Sequence, residues 1–188
     1  MSKSEQTIKK FFDQASRRDF ARDFLFRVTS ISLRNGAFSM GVDDLVYAKT
    51  AKLPTRQIEN VSTSYMGLDF NLPGRAKYGD SSAYTIEFYC DAEASLHKRL
   101  LSETREVFND ANSTGDYKIA DENSTIVLHQ LDKNLVAFRE YKLIGASIRD
   151  CGALEGKISD GTGAVVSFSA QFAYHYFITS VPGNTQEE

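Results

Sequence analysis

Apolar residues recur at every second position through most of this chain, and at every third or fourth in two places. Leu68, Phe70 and Leu72 alternate with Asp69 and Asn71, and Tyr84, Ile86, Phe88 and Cys90 alternate with Thr85, Glu87 and Tyr89. Both runs read as strands with one apolar and one polar face. The turn formers of Pro73–Ser82 lie between them, so the pattern predicts a long hairpin of Leu68–Leu72 with Ala83–Asp91 that lies on a core or joins a larger sheet. Further strands are expected over Phe24–Leu33, Leu45–Ala51, Ile58–Met66, Thr125–Leu131, Leu135–Ser147, Leu154–Ser159 and Ala164–Ile178. In the first of these the apolar phase switches at Ser30, which predicts a bulge or a strand that crosses from one environment to another. Turns are expected at Arg34–Gly36, Asp132–Asn134 and Asp160–Gly163.

Helical spacing occurs twice. Ile8, Phe11, Phe12 and Ala15 predict a short amphipathic helix over Ile8–Ser16. Leu96, Leu100, Thr104, Val107 and Phe108 predict a second, capped by Asp91 or Ser95, with Lys98, Arg99, Glu103 and Glu106 turned outward. The fold class is therefore mainly β: an antiparallel sandwich or barrel with one flanking helix and a short N-terminal one. The 188 residues show no repeat and no linker, so a single domain spanning 1–188 is expected, with 1–7 and 182–188 flexible.

The order of motifs resembles the tail tube proteins of contractile-tailed bacteriophages. A short helix is followed by Asp19-Phe20-Ala21-Arg22 and a strand. Then come Ala48–Pro54, another strand, the hairpin, and Asp91-Ala92-Glu93 opening a helix. The resemblance covers about Phe11 to Phe177 and is shared by tubes of contractile injection systems and type VI secretion. It implies that hairpins of neighbouring copies join into a continuous ring barrel, and that hexameric rings stack into a hollow tube conducting DNA. On that reading Asp69, Asn71, Thr85 and Glu87 line the lumen, and with no Lys or Arg at these facing positions the wall repels phosphate. Loops contact neighbouring subunits or rings, with Arg34, Asp43, Asp44, Tyr65, Met66, Arg75, Lys77 and Tyr78 as candidates. Tail sheath and baseplate proteins are the implied partners, and the implied location is the virion tail, after assembly in the host cytoplasm. A baseplate or terminal adaptor ring and an injection-system tube are alternatives within the same architecture. A monomeric ligand-binding β-barrel, or an enzyme built on one, is the alternative outside it.

Charge and chemistry change this picture little. With 22 basic and 25 acidic residues, composition does not make the chain a nucleic-acid binder. Residues 1–22 carry six Lys/Arg against three Asp/Glu, a basic stretch suited to a solvated helix face or to an acidic neighbour. Cys90 and Cys151 are expected as reduced thiols. His97, His129 and His175 lack metal-ligand spacing, Gly161-Thr162-Gly163 lacks the residues of a phosphate loop, and no nucleophile motif is present. No catalytic residue, metal or cofactor is expected, and no membrane anchor.

Overall fold

The computed structural model describes residues 3–17, 21–156 and 163–182. Two antiparallel sheets face each other across one core. The first joins β1 (Phe26–Leu33), β2 (Phe38–Met40), β9 (Thr125–Leu131), β10 (Ala137–Ile144) and β13 (Tyr176–Ser180), in the order β13-β10-β9-β1-β2. The second joins β3 (Ala48–Ala51), β6 (Tyr84–Tyr89), β11 (Ser147–Cys151) and β12 (Ser167–Ala173), in the order β11-β12-β6-β3. Alternate residues of each point inward, as the period-two pattern requires. Val28, Ile31, Ile126, Leu128 and Leu143 of the first sheet meet Tyr84, Ile86, Phe88, Phe168, Ala170 and Phe172 of the second. The switch of phase in β1 is a bulge, with the register against β9 shifting between Val28 and Ser30. Two helices, α1 (Lys3–Arg17) and α2 (Val42–Leu45), lie before β3, and α3 (Ser95–Val107) follows β6, ahead of a small hairpin of β7 (Phe108–Asn109) and β8 (Thr114–Gly115).

The expected long hairpin is paired differently. Leu68–Leu72 does not join Ala83–Asp91. It opens β5 (Leu68–Lys77), which pairs along its length with β4 (Gln57–Tyr65). The chain reverses at Met66–Gly67, where both φ angles are positive, at 50° and 80°. That is the signature of a two-residue hairpin loop whose twist matches its strands. Pro73–Lys77 is thus strand, and Pro73 is tolerated because it sits at a bulge on a free-standing ribbon. β6 instead lies between β12 and β3. The β4–β5 ribbon is therefore an insertion between the paired strands β3 and β6, an arm standing out from the second sheet.

Other boundaries moved for local reasons. The run Ala164–Ile178 breaks at Tyr174–His175, and Leu135–Ser147 breaks at Gly145–Ala146. At these two points the chain crosses between sheets. The corners are locked together: His175 N–H donates to Ile144 at 2.9 Å, and Gly145 has φ +70° with the His175 ring where a Cβ would stand. Leu45–Tyr47 belongs to α2 and its exit, not to a strand. No strand forms over 152–156, and the remainder of the expected Leu154–Ser159 strand lies outside the described residues. So do Asp160–Thr162 of the expected turn, Met1–Ser2 and 183–188. The first helix starts at Lys3, ahead of the expected Ile8.

Helix α3 has the expected stripe, with Leu96 and Leu100 buried. The Asp91 carboxylate accepts bonds from the Ser95 hydroxyl at 2.6 Å and the Ser95 amide at 3.1 Å. These bonds, the hydroxyl's first, hold Asp91 below the usual carboxylate range. Glu103 contradicts the outward assignment: it is only 3% exposed. It falls three residues after Leu100, on the same stripe, and its charge is met by a two-bond fork from Arg34 at 2.7 and 2.9 Å. The bond to Glu103 raises Arg34 above its ordinary value.

Candidate assembly surfaces

The arm has two unlike faces. Directly opposed residues of an antiparallel pair share a face, and the opposed pairs are Tyr65–Leu68, Thr63–Phe70 and Val61–Leu72, against Ser64–Asp69 and Ser62–Asn71. One side is a nearly continuous apolar strip, and the other is small and polar. Nothing in the described chain covers the strip: Leu68, Phe70 and Leu72 are 64%, 47% and 51% exposed. Within the subunit this face neither lies on a core nor belongs to a larger sheet, contrary to the sequence-based expectation. The physical reason is that alternation defines a face and not what covers it.

The base of the arm is fixed to the body. Tyr78 packs edge-on against Phe177 and Tyr174, with centroids 5.6 and 6.4 Å away. The Tyr174 amide donates to Ser81 at 2.8 Å, the Tyr84 hydroxyl donates to the Lys52 carbonyl, and Arg149 donates to the Ser82 carbonyl. On the ribbon, Arg75 and Lys77 converge on Glu59 at 2.7 and 3.4 Å and hold that carboxylate below its usual range, with Arg75 the larger cause. Gly74 is required here, because a Cβ would stand 2.8 Å from the Glu59 carbonyl oxygen. The arm is a ribbon with a rigid root and a bare tip.

Of the lumen candidates, Asp69 and Asn71 sit together on the polar face of the arm, where Ser64 donates to Asp69. Thr85 and Glu87 sit elsewhere, on the solvent face of the second sheet, opposite Gln171 and Ser169. The two pairs are not on neighbouring strands. A residue the pattern missed joins them: Lys49 bulges out of β3 and reaches Glu87 at 3.3 Å. That sheet face therefore carries a cation beside Glu87.

The contact candidates divide into bonded and bare. Tyr65 and Met66 are exposed at the tip of the arm. Asp43 is exposed on α2, whereas Asp44 meets Arg99 at 2.7 Å. Arg34 is held by Glu103, and Tyr78 is half-buried at the root of the arm. Asn35 is pinned as well: its amide donates to Ser124 Oγ at 2.9 Å, and that hydroxyl donates back to Asn35 Oδ1 at 3.2 Å. These bonds hold Arg34 and Asn35 at positive φ, 46° and 59°. Among the described residues, no cluster of three metal-ligating side chains occurs, and no helix is long and apolar enough to cross a membrane. Side chains from both sheets form one core cluster between them, and grooves open on the surface. One of about 640 Å3 runs between β1, α2 and β3, and one of about 560 Å3 lies beside the β9–β10 turn.

Comparison with solved structures places this geometry. In the anti-feeding prophage baseplate, solved with six-fold symmetry, one chain superposes over 99% of its length on 89% of this one, at TM-score 0.58 and 12% identity. The two chains share one fold. The same fold occurs in a chain of the sheath/tube terminator of the extracellular contractile injection system PVC, with TM-score 0.59, 6% identity and 87% and 99% of the two chains covered. It occurs again in the extended PVC sheath–tube complex, with TM-score 0.53, 8% identity and 90% and 97% covered. No protein-family model matches the sequence, and no curated protein matches it.

Proposed function

We propose that the chain is a structural subunit of a bacteriophage tail tube. Copies close head to tail into hexameric rings, and the rings stack into a hollow tube that passes DNA without binding it specifically. The observation that carries this reading is the arm. A two-stranded ribbon is marginal in water, and one that bares an apolar strip needs a covering surface. Its root is rigid, so the strip is held away from its own core and offered to another molecule. A second copy supplies that surface in every particle at the correct stoichiometry.

The second sheet supplies the wall. Its terminal strands are β3 and β11. With β11 of one copy beside β3 of the next, the sheet runs unbroken around a bore and no strand edge stays open. Head-to-tail contacts of this kind close into rings with two different faces, and such rings can stack. Six copies per ring accords with the symmetry of the prophage baseplate. Sheath and baseplate proteins are the external partners, and the tail is the site of action. The bore carries Thr85, Glu87 and Lys49 on the wall, with Asp69 and Asn71 of the arms bordering it. No step of this function needs catalysis.

Purified full-length protein tests the reading by light scattering after size exclusion and by electron microscopy. Rings near six times 21.0 kDa, or tubes built from them, are expected. A monodisperse 21.0 kDa species at all concentrations overturns it. A second reading is a ring that starts or ends the tube, favoured by baseplate and terminator structures among those sharing the fold. Isolated rings that never stack select it. Tubes in an injection system that passes protein are the third arrangement, and the gene neighbourhood of sheath and cargo separates it from a DNA tube.

A further inference from the structure

The groove between β1, α2 and β3 lies on the flank where both sheets end. β3 is the last strand of its sheet, and β2 pairs with β1 only over Ile31–Leu33, leaving the first half of β1 without a neighbour on that side. Phe24, Phe26, Val42 and Val46 line the groove, and three of them are exposed. The ring reading gives this flank a shape. Sheets of a sandwich stand about 10 Å apart, so copies joined through the inner sheet and turned about 60° each leave their outer sheets parted by roughly 10 Å. Such a wedge is about as wide as one α-helix with its side chains, roughly 10–12 Å.

The chain also carries a helix ahead of β1 whose apolar face needs a partner. Helix α1 presents Ile8, Phe11, Phe12 and Ala15 along one stripe, and Ile8 and Phe12 are 57% and 65% exposed. A 15-residue helix is marginal by itself and draws its stability from whatever its apolar face packs against. Residues 18–25 connect it to β1, a leash of at most about 27 Å. Asp23 and Phe24 of that leash already line the groove. The groove by itself offers one wall, and in the single chain Ile8 and Phe12 stay exposed.

We infer that α1 is the wedge of the ring: it lies in the outer seam between adjacent copies. Its apolar stripe rests on the groove of its own chain, and β13 of the neighbouring copy closes the other side. This inference rests on the ring reading and deepens it. The seam is where the outer five-stranded sheets end, at β2 and β1 on one copy and at β13 on the next. Filling it lets the inner sheets curve around the bore without exposing apolar side chains on the outside.

A photoreactive benzoylphenylalanine in place of Phe12 in the full-length protein tests it. Irradiated rings are expected to give a covalent ladder from dimer to hexamer, with cross-linked peptides from 24–51 and from β13. Rings seen by electron microscopy that yield no ladder overturn the wedge and leave the ring reading standing. Protein that stays monomeric in all conditions overturns both. As a second measure, Ile8→Ser with Phe12→Ser should raise the concentration for half-assembly at least tenfold and leave the melting temperature of the sandwich unchanged. Unaltered assembly of that double variant also overturns the wedge.

Discussion

Replacing Leu68, Phe70 and Leu72 together with serine strips the apolar face of the arm and leaves the sandwich core untouched. Fully burying a leucine or phenylalanine is worth about 1.5–3 kcal/mol. Each of these side chains is near half exposed in the single chain, so docking on a neighbour adds only the uncovered remainder, about 1 kcal/mol apiece. Three such losses weaken each subunit contact by about 3 kcal/mol, which is roughly two powers of ten in the association constant. In the isolated subunit, serine at exposed positions costs little beyond strand propensity, about 1 kcal/mol or less in total. For a chain of this size that is a shift of only about 2–4 °C. The expected signature is a split: assembly moves to about hundredfold higher concentration while the melting temperature barely changes. A dilution series by light scattering, run beside a calorimetric melt of the dispersed subunit, reads both. Assembly at the original concentration refutes the docking role of the strip. A fall of more than about 10 °C in the melt refutes the claim that it is bare in the subunit.

Three further outcomes follow from side-chain contacts. Glu103→Ala removes the partner of a fork that is buried at the carboxylate end, while Arg34, 29% exposed, retains some access to water. The cost should be about 2–3 kcal/mol, below the usual 3–5 for a wholly buried pair, and a urea midpoint unchanged from wild type contradicts it. Burial pushes the Cys151 thiol up to about 11 and the Tyr174 phenol up to about 12, and raises Tyr84 as well. The fold thus favours the neutral forms: stability is complete below the ordinary thiol value of 9.0 and declines as pH climbs toward the folded values. Urea midpoints should be flat from pH 7 to about 9 and then fall, less steeply at first in Cys151→Ser; a midpoint that rises above pH 9 reverses the sign. In the proposed tube, Glu87→Lys should slow DNA ejection at least as much as Asp69→Lys, because beside Lys49 it leaves two adjacent cations where Asp69→Lys leaves one; equal rates for both variants and wild type remove charge from the account.

Periodicity located most strands because each buried side chain in a sandwich occupies every second position. It went further in β1, where the slip at Ser30 marked a real bulge. It could not choose partners. Leu68–Leu72 and Tyr84–Cys90 alternate equally well, and the Met66–Gly67 turn, carried by two positive φ values, decided that β4 and β5 pair with each other. Nor could it see corners: alternation continues through Tyr174 and Tyr176 although the chain changes sheets between them. Glu103 looked solvent-facing by residue type, and only its spacing from Leu96 and Leu100 betrayed its place in the buried stripe. For the candidate surfaces, the polar faces holding Asp69, Asn71, Thr85 and Glu87 were legible. The bulge that brings Lys49 to Glu87 was not, because one extra residue in a strand leaves no mark in composition.

The central claim is that this polypeptide completes itself between copies, and cryo-electron microscopy of the purified full-length protein addresses it most directly. The account predicts rings in which the apolar strip of every arm lies against a neighbouring copy, with β11 of one subunit hydrogen-bonded to β3 of the next. Separate subunits whose arms stand free in solvent at high concentration, or rings in contact only through other surfaces, would contradict it.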